Sequence, residues 1–100
     1  HRVCYHARMD ITKAFPLFQE YGIQYAGLFG SYARGQERED SDVDILVRMG
    51  KPLTLPMFIR LENQLAEALN KKVDLVTEQS LKARLRDAVL SEIKPIYGQK

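Results

Sequence analysis

One hundred residues with 45% hydrophobic content are enough for one small domain with its own core. The net charge of +2 at pH 7 is too small to predict direct binding to nucleic acid or to a membrane surface. No apolar run approaches the roughly 20 residues needed to span a bilayer. The single cysteine, Cys4, excludes an intrachain disulfide, so the sequence predicts a cytoplasmic domain.

The first ten residues differ from the rest of the chain. They contain no apolar segment of the kind found in a signal peptide. We expect residues 1–10 to form a disordered or vector-derived extension, followed by a single domain over residues 11–100. His1, Cys4 and His6 are metal-ligand types, but their position in such an extension favours no metal site there.

The N-terminal third of the domain contains one helix and one strand. Apolar residues at helical spacing predict a helix over residues 11–21, which Gly22 ends because glycine accepts a positive φ. A short apolar segment at residues 25–29 predicts a buried strand. The small and then polar residues 31–41 are typical of a turn, or one helical turn, followed by a loop.

The remainder of the chain alternates between strands and helices. Alternation of apolar and polar residues over 42–47 predicts a second strand, and residues 55–69 have the apolar spacing of a long helix. Residues 73–77 read as a third strand and residues 78–90 as a last helix. In that helix, Leu81, Leu85, Ala88 and Val89 are expected to face inward, and Ile93, Ile96 and Tyr97 to pack the tail down. This order predicts an α/β domain with a small mixed sheet flanked by helices.

Gly30 and Ser31 lie between the first strand and the polar turn. Glycine allows the backbone to approach a ligand closely, and the N–H groups at a helix start attract phosphate. A Gly-Ser pair is common, so it does not identify a phosphate site by itself. Arg34, one helical turn beyond Ser31, is a candidate for a phosphate contact, or for a salt bridge to Glu37, Asp40 or another acid.

Asp42 and Asp44 are two apart on the second predicted strand and therefore point the same way. Their carboxylates repel each other unless a cation lies between them, and Mg²⁺ commonly uses one or two carboxylates together with substrate phosphates. Residues 36–44 carry five acids and one base, a local charge of −4 that leaves +6 on the rest. A metal–nucleotide complex suits this pattern; a polar strand edge facing solvent is the alternative.

Asp74 stands in a run of residues that otherwise reads as the interior of a strand. An acid in such a position is costly unless it is paired or used. It either forms a salt bridge, with Lys71 or Arg34 as the partner, or joins the other two aspartates. In the second case it would act as general base for an incoming hydroxyl.

The spacing of these motifs resembles that of a known superfamily. Gly-Ser, ten residues, Asp-x-Asp and a third aspartate in a later strand is similar to the nucleotidyltransferase superfamily that includes DNA polymerase beta. More narrowly, the segments GSYARG at residues 30–35, SDVDILV at 41–47 and KVDLV at 72–76 resemble the stand-alone minimal nucleotidyltransferase (MNT) family. These are small prokaryotic proteins often encoded beside a HEPN partner. The resemblance covers about residues 11–97.

The resemblance implies a role for each motif residue. Gly30 and Ser31, with the neighbouring backbone, would hold the triphosphate of ATP, and Asp42 and Asp44 would bind two Mg²⁺ ions. Asp74 would complete the metal and catalytic site. Two metal ions of this kind stabilise the attacking and leaving oxygens of an in-line displacement.

The resemblance also implies an acceptor. Members similar to this chain act as antitoxins that transfer AMP from ATP to a tyrosine of a HEPN ribonuclease toxin, within a hetero-oligomeric complex. Two alternatives stay open at this point. One is a small-molecule nucleotidyltransferase of the antibiotic-modifying kind, and the other is an antitoxin that masks its toxin by binding alone.

Overall fold

The computed structural model describes residues 10–36, 38, 41–81 and 83–98. The expected extension at residues 1–10 therefore lies, apart from Asp10, outside the described residues, and it stays a prediction. The same holds for Cys4 and the two histidines. Within the described ranges, no helix is long and apolar enough to cross a membrane.

Four strands form one mixed sheet. They are β1 (Ile23–Phe29), β2 (Val43–Met49), β3 (Val73–Thr77) and β4 (Lys94–Gly98), in the spatial order β3-β2-β1-β4. β1 is antiparallel to both β2 and β4, whereas β2 and β3 are parallel. The expected α/β class with a small mixed sheet flanked by helices is thus confirmed. β1 and β2 differ from the predicted bounds by about two residues.

The helices lie between the strands in chain order. A 3-10 turn at Ile11–Ala14 leads into α1 (Phe15–Glu20), and α2 is a single turn at Ser31–Arg34. They are followed by α3 (Leu55–Leu69), a 3-10 turn at Glu78–Ser80, and α4 (Ala83–Glu92).

The long helix α3 carries the crossover between the parallel strands β2 and β3, as such a pair requires. It begins after Thr54, whose hydroxyl accepts a hydrogen bond from the Met57 N–H at 3.3 Å. It ends at Asn70, which adopts the left-handed conformation at φ 54°. These two caps explain why the predicted bounds of α3 match the structure.

The core lies between one face of the sheet and the helices α1 and α3. Val43, Ile45 and Val47 of β2 are fully buried in it. The α3 side chains Leu61, Leu65 and Leu69 belong to the same cluster. Side chains alternate along a strand, so Asp44, which lies between Val43 and Ile45, points to the opposite face of the sheet.

The C-terminal part differs from the sequence prediction. The expected helix over 78–90 is wrong at its start, because the Thr77 hydroxyl accepts from the Ser80 N–H at 3.2 Å and closes a separate 3-10 turn. As a result, α4 is displaced towards the C-terminus. Leu85 is 49% exposed and Ala88 is exposed, so these two do not face inward as predicted.

The tail forms a strand that the sequence analysis did not predict. β4 pairs with β1 at the edge of the sheet and contains Pro95. Proline lacks a backbone N–H, and an edge strand tolerates this because its outer side needs no donor for a neighbouring strand. The tail does pack down as expected, since Ile96 and Tyr97 lie against the core. The Tyr97 ring is 5.1 Å from that of Phe18.

Candidate active site

The structure brings the three predicted aspartates to one edge of the sheet. Asp44 is the second residue of β2 and Asp74 the second residue of β3, and the two are register partners on these parallel strands. Adjacent strands lie about 4.8 Å apart, so the two side chains leave the same face as close neighbours. Asp42 immediately precedes β2, two residues before Asp44. The end of β1 lies beside them, because Phe29 is the register partner of Asp44.

Asp74 is more accessible than its sequence context indicated. Val73 and Leu75 are buried at 7% and 4% exposure, but Asp74 between them is exposed. The expectation of a costly interior acid is therefore wrong. β3 is an edge strand, and its outer face leaves the Asp74 carboxylate open to solvent. The alternative of a salt bridge to Arg34 is not realised, since Arg34 pairs elsewhere; the alternative with Lys71 stays a prediction.

A contact from α3 supports β3 next to Asp74. The Leu75 N–H donates a hydrogen bond of 2.9 Å to Oε2 of Glu62. An edge strand has backbone groups without a neighbouring strand to pair them, and Glu62 satisfies one of these. Two contacts therefore stabilise the register of Asp74 against Asp44: the hydrogen bond from β3 to Glu62 of α3 and the pairing of β3 with β2.

The electrostatic surroundings of Asp44 suit a cation. Partial burial is the main cause that raises the pKa of this carboxyl above its ordinary value, and the negative charges of Asp74 and Asp42 raise it further. The Arg34 guanidinium opposes this rise, and Glu92 adds to it. A bound cation between the carboxylates would remove the part of this rise that comes from the charges of Asp74 and Asp42.

Gly30 lies directly against Asp44. Its backbone has φ 74° and ψ −146°, a combination that side-chain-bearing residues very rarely adopt. A Cβ atom at this position would lie 2.2 Å from Oδ2 of Asp44, closer than two such atoms can approach. Glycine is therefore required here for two reasons, its backbone conformation and the space that the Asp44 carboxylate occupies.

The one-turn helix α2 starts at Ser31, immediately after Gly30. The Gly30 carbonyl accepts hydrogen bonds from the Ala33 and Arg34 N–H groups, both at 3.1 Å, and so closes the turn. The expected helical turn is confirmed. Ser31 is half-buried at the start of this turn, so the first N–H groups of α2 follow directly after the contact between Gly30 and Asp44.

Arg34 forms a salt bridge with an acid that the sequence analysis did not name. Its Nη1 lies 3.1 Å from Oε2 of Glu92, at the end of α4. The expectation of a salt bridge with "another acid" is therefore confirmed, while Glu37 and Asp40 lie outside the described residues. Sequence reasoning missed Glu92, and its one available signal was an acidic residue at the C-terminal end of a helix, where cations are favoured.

The described residues do not form a complete metal cage. Within residues 10–36, 38, 41–81 and 83–98, no group of three or more acidic, histidine or cysteine side chains is arranged to hold a metal ion unaided. This does not disagree with a magnesium site, because Mg²⁺ in nucleotide enzymes takes one or two carboxylates and completes its shell with phosphates and water. The hard oxygen donors and mutual repulsion of Asp42, Asp44 and Asp74 fit such a shared site.

A separate cavity lies at the other end of β2. It has a volume of about 320 Å³ and is lined by Arg48, Lys51 and Glu78, among other residues. Arg48 is four residues from Asp44 along an extended strand, a distance of about 13 Å. This cavity is therefore separate from the site formed by the three aspartates.

Comparison with known proteins identifies the family of this chain. The family described as "Polymerase beta, Nucleotidyltransferase" matches residues 12–100, nearly the whole chain. The chain belongs to this nucleotidyltransferase family. It is also 46% identical over 77 residues to the protein adenylyltransferase MntA of Thermococcus cleftensis, covering 77% of this chain and 78% of that protein.

Two solved structures of toxin–antitoxin complexes contain a similar fold. One, a toxin–antitoxin crystallised with AMP-PNP, has a chain 31% identical to this one with a TM-score of 0.79, covering 91% of this chain and 75% of that chain. The other is described as a tri-AMPylated Shewanella oneidensis HEPN toxin with an MNT antitoxin. Its match is 30% identical with a TM-score of 0.68, over 88% of this chain and 69% of that chain.

Proposed function

We propose that this nucleotidyltransferase transfers AMP from ATP to a hydroxyl of a partner HEPN toxin and thereby acts as its antitoxin. The observation that carries the proposal is the register pairing of Asp44 with Asp74 beside Gly30. Relatives of this chain that are named protein adenylyltransferases, and a similar fold beside an AMPylated HEPN toxin, support this acceptor class. The chain and the toxin would form a hetero-oligomeric complex in the cytoplasm.

The site residues divide into two groups in this proposal. Gly30 and Ser31 bring backbone N–H groups and a hydroxyl to the triphosphate, and Arg34 adds a guanidinium that suits phosphate oxygens. Asp42 and Asp44 are the metal ligands. Asp74, exposed and next to Asp44, takes part in metal binding and accepts the proton of the incoming hydroxyl.

Magnesium is the ion that this donor set favours. Carboxylate oxygens are hard ligands, and two Mg²⁺ ions, when bound, would neutralise the triphosphate and the charge that develops on the leaving group. The chain's own residues would then hold the nucleotide in line with the acceptor. Little covalent work is required of the protein beyond this positioning.

The reaction balances without a further reactant. The acceptor hydroxyl oxygen, which we expect to belong to a tyrosine, forms a bond to the α-phosphorus of ATP. The bond between that phosphorus and the oxygen leading to the β-phosphate breaks, and its electron pair leaves with pyrophosphate. The hydroxyl proton passes to the Asp74 carboxylate and then to solvent.

The test uses ATP labelled at the α-phosphate or at the γ-phosphate. The purified chain is mixed with Mg²⁺, labelled ATP and the proposed HEPN partner from the same organism, and the products are separated on a denaturing gel. We expect the toxin to carry label from the α position and none from the γ position. Asp44→Asn should abolish the transfer, whereas Asp87→Asn, an exposed acid on α4, should leave it unchanged.

Other outcomes would support other functions. Label recovered only in a small soluble product would replace the proposal with a small-molecule nucleotidyltransferase. A toxin that is silenced without label, by Asp44→Asn as well as by the unaltered chain, would identify a binding-only antitoxin.

A further inference from the structure

Two parts of the chain hold the Arg34 guanidinium. Its Nη1 donates to both carboxylate oxygens of Glu92, at 3.1 Å and 3.5 Å. Its Nε donates to Oε1 of Gln36 at 3.2 Å. The planar group is therefore fixed along two of its edges, by a near neighbour in sequence and by a residue 58 positions away.

The remaining edge of Arg34, at Nη2, forms no hydrogen bond within the described residues. The hydrogen bonds there use Nε and Nη1, and none uses Nη2. Arg34 ends the single turn of α2, which starts after Gly30, and an added Cβ at Gly30 would lie 2.2 Å from Oδ2 of Asp44. The guanidinium therefore belongs to a turn that begins against the aspartates. A guanidinium presents several N–H donors in a rigid plane, so Nη2, which none of the described side chains engages, is suited to a phosphate oxygen near the aspartates.

Helix stability does not explain the position of Glu92. It is the last residue of α4, where the helix dipole disfavours a carboxylate. The side chain of Arg34 is 49% exposed and that of Glu92 is 28% exposed. Ion pairs this accessible contribute little to folding. Neither helix stability nor the ion pair's contribution to folding therefore explains why residue 92 is a glutamate.

Glu92 is, however, well anchored. The next residue, Ile93, packs closely against Gly27 of β1. A Cβ atom added to Gly27 would lie 2.6 Å from Cγ1 of Ile93. β4 begins at Lys94, the register partner of Leu28. The junction between α4 and β4 is therefore fixed to the sheet, and Glu92 provides a stable support for Arg34.

From these contacts we infer that Glu92 is a positioning residue, which holds the Arg34 guanidinium so that Nη2 meets the triphosphate of the bound nucleotide. The inference rests on the proposed function, in which Arg34 contacts the triphosphate. Glu92 itself touches neither nucleotide nor acceptor. Its effect should therefore depend on Arg34 and be seen in nucleotide binding more than in the chemical step.

The test measures KM for ATP and kcat in toxin adenylylation. It also measures the binding of two ligands, AMP and an ATP analogue that cannot be cleaved at the α-phosphate. Glu92→Ala should raise KM for ATP about tenfold with kcat almost unchanged, and Glu92→Gln, which keeps one acceptor oxygen, about threefold. Binding of the analogue should weaken in parallel. AMP, which lacks the outer phosphates, should bind as before.

A double-mutant cycle separates positioning from a general structural effect. In an Arg34→Ala background, Glu92→Ala should change KM by less than about twofold, because the guanidinium that it positions is gone. Glu78→Ala is the matched control, since it removes the Arg48–Glu78 ion pair, of similar exposure, at the other end of β2. It should leave KM for ATP unchanged.

Three results would overturn the inference. These are an unchanged KM in both Glu92 variants, an equal rise in KM with and without Arg34, and a lower KM, which would mean that Glu92 restrains Arg34 from the triphosphate. Failure of the proposed function would look different, because Asp44→Asn would then retain toxin adenylylation or the unaltered chain would show none.

Discussion

A Cβ atom at residue 30 would lie 2.2 Å from Oδ2 of Asp44. The turn that begins α2 and the carboxylate of β2 are therefore in direct contact, and glycine is the only residue that allows it. This contact connects two motifs that are ten residues apart in the sequence. A change at Gly30 should thus affect Asp44 as well as the local backbone.

Gly30→Ala should abolish nucleotidyl transfer and lower stability. The methyl group must displace the Asp44 carboxylate, and the backbone conformation costs about 1–3 kcal/mol for a residue with a side chain. Thermal unfolding and the AMP-transfer assay measure the two effects. Gly22→Ala is the matched control, because Gly22 also has a positive φ (71°) but nothing within 4 Å of an added Cβ. That variant should lose about 1–2 kcal/mol and keep its activity.

Asp44→Asn should stabilise the protein in the absence of metal and nucleotide. Since the pKa of Asp44 is raised by folding, the folded state binds more protons than the unfolded state between the two pKa values. The stability of the folded state therefore falls as pH rises from the ordinary carboxyl range through the raised pKa. At neutral pH the ionised Asp44 destabilises the folded state. The melting temperature of Asp44→Asn should exceed that of the unaltered chain at pH 7.

The gain from Asp44→Asn should disappear below the ordinary pKa of an aspartate, about 3.9, where Asp44 is protonated in both states. Mg²⁺ together with ATP should raise the melting temperature of the unaltered chain and have little effect on the variant, because ligands stabilise only the state that binds them. A variant that melts lower than the unaltered chain at pH 7 without ligands would contradict this account of Asp44.

Glu62→Ala should weaken β3 next to Asp74. The substitution removes the acceptor for the Leu75 N–H, and the loss of one such hydrogen bond costs about 1 kcal/mol. Hydrogen exchange at the Leu75 amide should become faster and the melting temperature should fall. Glu67→Ala, an exposed position on the same helix, should change stability by less than about 0.5 kcal/mol. Equal effects of the two substitutions would show that the Glu62 contact does not hold the strand.

Local signals were enough to predict some elements and not others. α3 and β3 have the predicted bounds because their periodicity is strong and Thr54 and Asn70 mark the ends of the helix. β4 was not predicted, because Pro95 argues against a strand unless its partner and edge position are known. The 3-10 turn at Glu78–Ser80 depends on one side-chain hydrogen bond that no periodicity reveals.

The sequence predicted which residues of the candidate site would lie close together, but it did not predict the contacts that they make. The spacing of Gly30, Asp42, Asp44 and Asp74 was visible in the sequence, and the fold brings all four to one edge of the sheet. The pairing of Arg34 with a residue 58 positions later could not be read from local patterns. The accessibility of Asp74 likewise depends on β3 being an edge strand, which is a property of the whole sheet.

The most direct test of the central claim is the intact mass of the HEPN toxin after production together with this chain. We predict that the toxin gains the mass of one or more whole AMP groups beside the unaltered chain and none beside the Asp42→Asn/Asp44→Asn double variant. Loss of the toxin's activity should follow the same pattern. An unmodified toxin that is nevertheless silenced equally by both chains would contradict nucleotidyl transfer as the basis of the antitoxin function.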